Sequence, residues 1–238
     1  MIAMRRYLVV DDNLAFAENV AEILRDEGNQ VSLASSGVQA LQLAREARFD
    51  AILTDMRMPS MGGAQLVHEL RSVDPGIPAL VATAYTGDDD LETARHEGLL
   101  AVFSKPIPVR RLLELLGVAR RDGLIVIVED DHAMADNLSE ALRSRGLTAV
   151  TAGSVLETQR LGPVRPFAAI VDLRVPGGPD GEAMRRLNAR FPALPIVVMT
   201  AHDCSPPAPP VALFRKPFST DALVSEIERL YQARETSA

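Results

Sequence analysis

One ordered set of polar residues occurs twice in this chain, at a nearly constant offset. Asp11-Asp12 returns 118 residues later as Glu129-Asp130, while Asp55 returns as Asp172 and Thr83 as Thr200, each 117 later. The only two lysines close the set, Lys105 in Ser-Lys-Pro and Lys216 in Arg-Lys-Pro; they are 111 apart, so the second copy is six residues shorter between threonine and lysine. Self-similarity at so long a period means whole domains in tandem rather than a solenoid of short repeats. The 238 residues divide into units of ordinary domain size, 1–120 and 121–238, each long enough to bury its own core.

Short apolar runs alternate with helical patterns through both units. In the first, runs at 7–10, 31–34, 51–54, 79–82 and 101–103 alternate with helical spacing at 14–27, 38–47, 64–71, 88–97 and 109–119. The punctuation agrees: Gly28 and Gly98 stand where helices need a left-handed cap, Ser36 and Gln39 form a capping box, and Asp88, Asp89 and Asp90 favour a helix start. Runs that are apolar throughout, rather than alternating, are strands of a parallel sheet covered on both faces. The expectation is therefore a five-stranded, doubly wound parallel α/β domain. The second unit repeats the order with strands at 124–128, 148–152, 168–171, 196–199 and 212–214 and helices at 133–144, 155–161, 182–190 and 220–233. Its fourth helix is missing, because Pro-Pro-Ala-Pro-Pro at 206–210 cannot propagate one. Only Arg120-Arg-Asp-Gly123 lies between the units, so the last helix of the first is expected to run almost directly into the next strand.

Composition removes several function classes. Acidic residues outnumber basic ones 32 to 25, a net charge of −7, which argues against a nucleic-acid-binding surface. No apolar run approaches the ~18 residues of a membrane helix and no signal-peptide core opens the chain, so a cytoplasmic protein is expected. Cys204 is the single cysteine, and His68, His96, His132 and His202 lack metal-ligand spacing.

In a parallel α/β sheet the ligand site lies beyond the carboxyl ends of the strands, where neighbouring connections leave on opposite faces. The repeated polar residues map there: Asp11 and Asp12 follow the first strand, and Asp55, Thr83 and Lys105 sit at the ends of the third, fourth and fifth. Three carboxylates gathered in one pocket repel one another and need cations. A hard divalent ion such as Mg²⁺ answers that need and can also coordinate phosphate oxygens. Lysine adds a compact positive charge and threonine a hydroxyl donor, and a carboxylate so placed can act as a nucleophile and become an aspartyl phosphate.

These motifs resemble the receiver domain of two-component response regulators, over nearly the whole chain and in two copies. The first carries Leu-Val-Val-Asp-Asp at 8–12, Thr-Asp-Met-Arg-Met-Pro at 54–59, Thr83-Ala84 and Lys105-Pro106; the second carries Val-Ile-Val-Glu-Asp at 126–130, Val-Asp-Leu-Arg-Val-Pro at 171–176, Thr200-Ala201 and Lys216-Pro217. The resemblance implies two flavodoxin-like receivers in tandem, with Asp55 and Asp172 as phosphoacceptors. It implies Mg²⁺ held by Asp11, Asp12 and Asp55 in one domain and by Glu129, Asp130 and Asp172 in the other. Thr83, Lys105, Thr200 and Lys216 would contact the phosphoryl group and carry the switch. The donor would be a sensor histidine kinase or histidine phosphotransfer protein, and the output a downstream protein target, with room for a homodimer. No enzymatic activity is expected beyond self-catalysed phosphorylation and dephosphorylation.

Some positions depart from the family pattern. The aromatic residue usual three places before the lysine is Val102 or Leu213 here, with Phe103 and Phe214 one residue later; Gly62 replaces the usual Asp or Asn before glycine; and the loop Pro176–Gly181 carries an extra residue. No helix-turn-helix, glycine-rich nucleotide loop or catalytic His/Cys pair accompanies the receivers, so output is expected through partners. A second reading stays open: a scaffold or docking module, at least for the second unit, that works without phosphorylation. An aspartyl phosphohydrolase is disfavoured, because Arg57 and Arg174 stand where its Asp-x-Asp motif needs a second aspartate.

Overall fold

The structure, a computed structural model, describes residues 4–84, 98–201 and 205–237. The chain forms two compact units, Met1–Asp122 and Gly123–Ala238. In the first, β1 (Arg6–Val10), α1 (Leu14–Asp26), β2 (Gln30–Ala34), α2 (Gly37–Glu46), β3 (Ala51–Asp55), α3 (Gly63–Val73), β4 (Ala79–Thr83), β5 (Ala101–Ser104) and α4 (Val109–Val118) follow in order. The helix expected over 88–97 falls outside the described residues. The five strands are all parallel, in the order β2-β1-β3-β4-β5.

Strand side chains point alternately to opposite faces, and both faces are covered, which is why these strands are apolar at every position. Leu8, Val10, Ile52 and Val81 meet α2 and α3 through Ala40, Leu41, Leu66 and Leu70. Tyr7, Val9, Leu53 and Leu80 meet α1 and α4 through Ala17, Val20, Leu24, Leu112 and Leu116. Truncating a fully buried leucine such as Leu66 to alanine would cost about 2–5 kcal/mol. Ser36 caps α2 as expected, its Oγ accepting from Gln39 N while Gln39 Oε1 accepts from Ser35 N, and at the start of α1 the Asn13 side chain accepts from Phe16 N. Gly28 follows α1 with φ 82°, a conformation open to glycine at little cost.

Only residues 119–123 separate α4 from the next strand, as short a connection as expected, and it is tied to the first unit. Both oxygens of Asp74 accept from Arg121 Nη2 at 2.7 and 2.8 Å, Arg121 Nη1 donates to the Phe49 carbonyl, and Asp122 N donates to Gly76 O at 2.8 Å. The connecting segment thus folds back onto the first unit, because a half-buried guanidinium finds a bidentate carboxylate there.

The second unit contains β6 (Leu124–Val128), α5 (His132–Ser144), β7 (Thr148–Ala152), α6 (Val155–Arg160), β8 (Ala168–Asp172), α7 (Glu182–Arg190), β9 (Ile196–Thr200), β10 (Ala212–Arg215) and α8 (Thr220–Ser237). Its order, β10-β9-β8-β6-β7, is the first sheet's order over again, and all its pairings are parallel. Between β9 and β10 the described residues 205–211 hold no helix. Ala208 packs against the core there, while Val211 and Leu213 stay 45% and 42% exposed. The last helix reaches Ser237 rather than ending near 233, since neither glycine nor proline follows Ala233 to stop it.

Candidate functional site

At the carboxyl edge of the first sheet, Asp11 leaves β1 with its backbone still in the ladder, its N–H donating to Ala34 O at 3.1 Å. The side chain turns inward: Oδ1 accepts from Asn13 N at 2.9 Å and Oδ2 meets Lys105 Nζ at 2.6 Å. Asp55, the last residue of β3, accepts from Arg57 N through Oδ2 at 2.8 Å and meets Lys105 Nζ through Oδ1 at 2.7 Å. The lysine backbone is fixed by its own N–H donating to Thr83 O at 2.8 Å, and the Lys105–Pro106 peptide is cis. One ammonium therefore bridges two buried carboxylates drawn from strands on either side of the switch point.

The second unit repeats this nearly atom for atom. Glu129 accepts from Asp131 N through Oε1 at 3.3 Å and meets Lys216 Nζ through Oε2 at 2.7 Å; Asp172 accepts from Arg174 N at 2.9 Å and meets Lys216 Nζ at 2.6 Å. Lys216 N donates to Thr200 O at 2.9 Å, and Lys216–Pro217 is cis. Glutamate replaces aspartate at one corner without changing the bridge.

Of the remaining expected residues, Thr83 and Thr200 are buried at the ends of β4 and β9, opposite Ser104 and Arg215 in register. Asp12 and Asp130 are exposed at the mouth of each site. In the second unit Glu129, Asp130 and Asp172 each offer a carboxylate oxygen, all within 4.8 Å of one another. That trio is the only such group among the described residues, so Asp12 is not drawn equally close to Asp11 and Asp55.

Burial and pairing pull on these groups in opposite directions. Loss of water around Asp11 and Glu129 pushes both carboxyls above their ordinary values, against the hydrogen bonds and charge of their lysines. Burial alone would lower the two ammonium groups, but hydrogen bonds and charge attraction from Asp11 and Asp55, or from Asp172 and Glu129, outweigh it, and both lysines lie above their usual value.

Several contributors were not read from the sequence. Gly63 starts α3 so near the acceptor strand that a Cβ there would lie 2.4 Å from Asp55 O. Its counterpart Gly181 adopts φ 78°, with Pro207 closing over it. The Arg174 side chain is held by Asp180 at 3.0 Å, inside the lengthened loop. Phe16 lies under Lys105, the ammonium 4.3 Å from its ring centroid. The ordered glycine after Gly62 was a usable signal for the first of these; nothing local marked Phe16.

A pair of doubly wound sheets with an acid–acid–lysine bridge at each switch point defines a receiver-type module. The response regulator receiver domain family matches residues 7–117. A response regulator receiver protein of Anaeromyxobacter sp. (strain Fw109-5) is 63% identical over 231 residues, covering 97% of this chain and 97% of its own. The transcriptional regulatory protein ZraR of Klebsiella oxytoca is 38% identical over 105 residues, which span 44% of this chain and only 24% of that protein. Among solved structures, the receiver domain of a sensor histidine kinase from Pseudomonas aeruginosa PAO1, with a magnesium ion in its active-site cleft, is similar at 30% identity and TM-score 0.45, covering 48% of this chain and 95% of its own. The chain belongs to the response regulator receiver family, and it carries the receiver fold twice.

Proposed function

We propose that residues 1–120 and 121–238 are two phosphoryl-accepting receivers, with Asp55 and Asp172 as acceptors. The observation that carries the reading is the lysine bridge, repeated in both units: Lys105 on Asp11 and Asp55, Lys216 on Glu129 and Asp172. An ammonium held at the acceptor carboxylate is placed to follow the charge when a phosphoryl group arrives. In the transfer, a carboxylate oxygen of Asp55 or Asp172 attacks phosphorus, and the bond from phosphorus to the donor histidine nitrogen breaks with its electrons left on nitrogen. The lysine then exchanges its acceptor bond for a phosphoryl oxygen, and the Thr83 or Thr200 hydroxyl donates to another. The new bonds act at the ends of β4 and β5, or of β9 and β10, and this shifts the population of each domain toward its signalling arrangement.

The carboxylates suit Mg²⁺, because the donors are all oxygen, all anionic and partly open to water. Asp11, Asp12 and Asp55 would hold it in the first receiver, and Glu129, Asp130 and Asp172 in the second, where the three oxygens already lie within 4.8 Å. Bound there, the ion would supply positive charge to the phosphoryl oxygens. The donor is a sensor histidine kinase or a histidine phosphotransfer protein, and the output is a contact with a downstream protein. With a net charge of −7 and no helix among the described residues long and apolar enough to cross a membrane, neither nucleic acid nor bilayer is its direct target, and we place its action in the cytoplasm.

Intact mass after incubation with acetyl phosphate and Mg²⁺ tests the reading. Two phosphoryl groups are expected, one lost in Asp55→Asn and the other in Asp172→Asn. Acceptance at Asp55 alone would make the second unit a docking module, and acceptance at neither would overturn the reading.

A further inference from the structure

The Lys105 ammonium has three faces. Two are taken by Asp11 Oδ2 at 2.6 Å and Asp55 Oδ1 at 2.7 Å, and the third lies over the Phe16 ring, 4.3 Å from its centroid. A cation within about 6 Å of a ring centroid is attracted by the negative face of the ring. The ring is itself partly buried and packed against the core formed with Val20, Leu53 and Phe103, so it cannot follow the lysine if the lysine moves. Phe16 is three residues into the first helix beyond its cap, and its backbone N–H is held by that cap, Asn13. The equivalent position in the second receiver, 118 residues on, is Met134, a thioether with no ring face to offer Lys216.

We propose that Phe16 is a positioning residue of the first receiver, holding the Lys105 ammonium where it meets the transferring phosphoryl group at Asp55. The proposal rests on the reading of Asp55 as acceptor. Acceptance and loss of the group pass through related charge distributions. In acceptance from acetyl phosphate, an Asp55 oxygen attacks phosphorus and acetate leaves with the electron pair of the broken P–O bond. In loss, water attacks phosphorus, the bond to Asp55 breaks to restore its carboxylate, and the water proton passes to solvent as inorganic phosphate departs. A well-placed ammonium stabilises the equatorial oxygens in both. Weakening its placement must therefore slow both steps by a similar factor. A ring that merely shielded the site would do otherwise, since its removal would admit water and hasten loss.

The chain's two lysines make the test direct, because lysine-selective ¹³C labelling of the full-length protein leaves one ε-methylene signal for each receiver. The Lys216→Arg variant assigns them. Ring current should shift the Lys105 signal upfield in the parent and in Phe16→Trp, and Phe16→Leu should abolish that shift while keeping an apolar side chain in the core. Followed over time with acetyl phosphate and Mg²⁺, the Lys105 signal reads the first receiver alone. In Phe16→Leu, acceptance and subsequent loss should both slow by roughly two- to five-fold, the factor that an exposed to half-buried cation–π contact carries, and Phe16→Trp should restore them. An unshifted parent signal, unchanged rates in Phe16→Leu, or slower acceptance with faster loss would each overturn the proposal. A parent with a clear ring-current shift that takes no phosphoryl group would instead show that the acceptor reading itself had failed, and this role with it.

Discussion

The two receivers hold their lysines with the same pair of ion pairs, yet the protein around those pairs differs in three places. The first has Phe16 under its ammonium, where the equivalent sequence position in the second is Met134. At the inner acid, Asp11 becomes Glu129, whose longer side chain accompanies the gathering of Glu129, Asp130 and Asp172 within 4.8 Å. Along the edge strand, Val102 packs against the core of its unit, whereas Leu213 is 42% exposed beside the proline-rich segment. The lesson is that the chemistry sits at the strand ends and needs only the sheet and its switch point. Helices and loops at the edge can vary while the bridge is kept.

The largest break in the comparison should come from the lysines. Lys105→Met would leave Asp11 and Asp55 facing each other without a cation, and Lys216→Met would do the same to Glu129 and Asp172. Each variant should lose about 3 kcal/mol in its own unit, as when one partner of a buried pair is removed. Denaturant unfolding, followed with Mg²⁺ added, should show much of the loss recovered as the metal takes over the ammonium's place. Equal unfolding of both units by either variant would break the claim of independent sites.

Next come the two glycines behind the acceptors. Gly63→Ala would put a methyl group 2.4 Å from Asp55 O, a backbone atom that can move only by shifting the strand end, while Gly181→Ala meets the more yielding Pro207 Cδ at 2.7 Å but at φ 78°. We expect Gly63→Ala to cost about 1–3 kcal/mol and to impair acceptance at Asp55, whereas Gly181→Ala should chiefly lower stability by about 1 kcal/mol. Chemical denaturation and site-resolved phosphorylation separate the two.

The edge strands sharpen the contrast further. Leu213→Ser should change stability by less than about 0.5 kcal/mol because its side chain already meets water, and Val102→Ser should cost more than that, since it removes packing from the first core. Thermal unfolding of the single variants decides it.

The smallest effect concerns pH. Burial, partly offset by Arg5, pushes the Tyr7 phenol above its ordinary value of 10.0. The unfolded chain therefore ionises first as pH rises, and the stability due to the neutral buried phenol, fully present below about pH 10, is lost as pH climbs through the folded value. The corresponding residue of the second receiver, Ile125, has nothing to ionise. Tyr7→Phe should flatten the alkaline decline of the first unit and leave that of the second unaltered.

Much of this is legible in the sequence. The strands were readable because a parallel sheet buried on both faces writes continuous apolar runs, and the site because its residues recur in order at one offset. What the sequence could not show was geometry that depends on helix phase and loop path. Phe16 reads as one more apolar residue of α1 until the fold sets the Lys105 ammonium over its ring. The backbone amides of Arg57 and Arg174, which hold the acceptor carboxylates, carry no side-chain signature at all. The short connection is legible, but not its anchoring, which depends on Asp74, distant in sequence from Arg121. Residues 85–97, where a helix was expected, lie outside the described structure.

The central claim, two complete sites in one chain, is tested most directly by ¹⁹F NMR with beryllofluoride, a phosphoryl mimic, in the presence of Mg²⁺. Two bound signals per chain are expected, one disappearing in Asp55→Asn and the other in Asp172→Asn, each without effect on its neighbour. A single bound signal in the parent chain, or the loss of both with one substitution, would contradict the account.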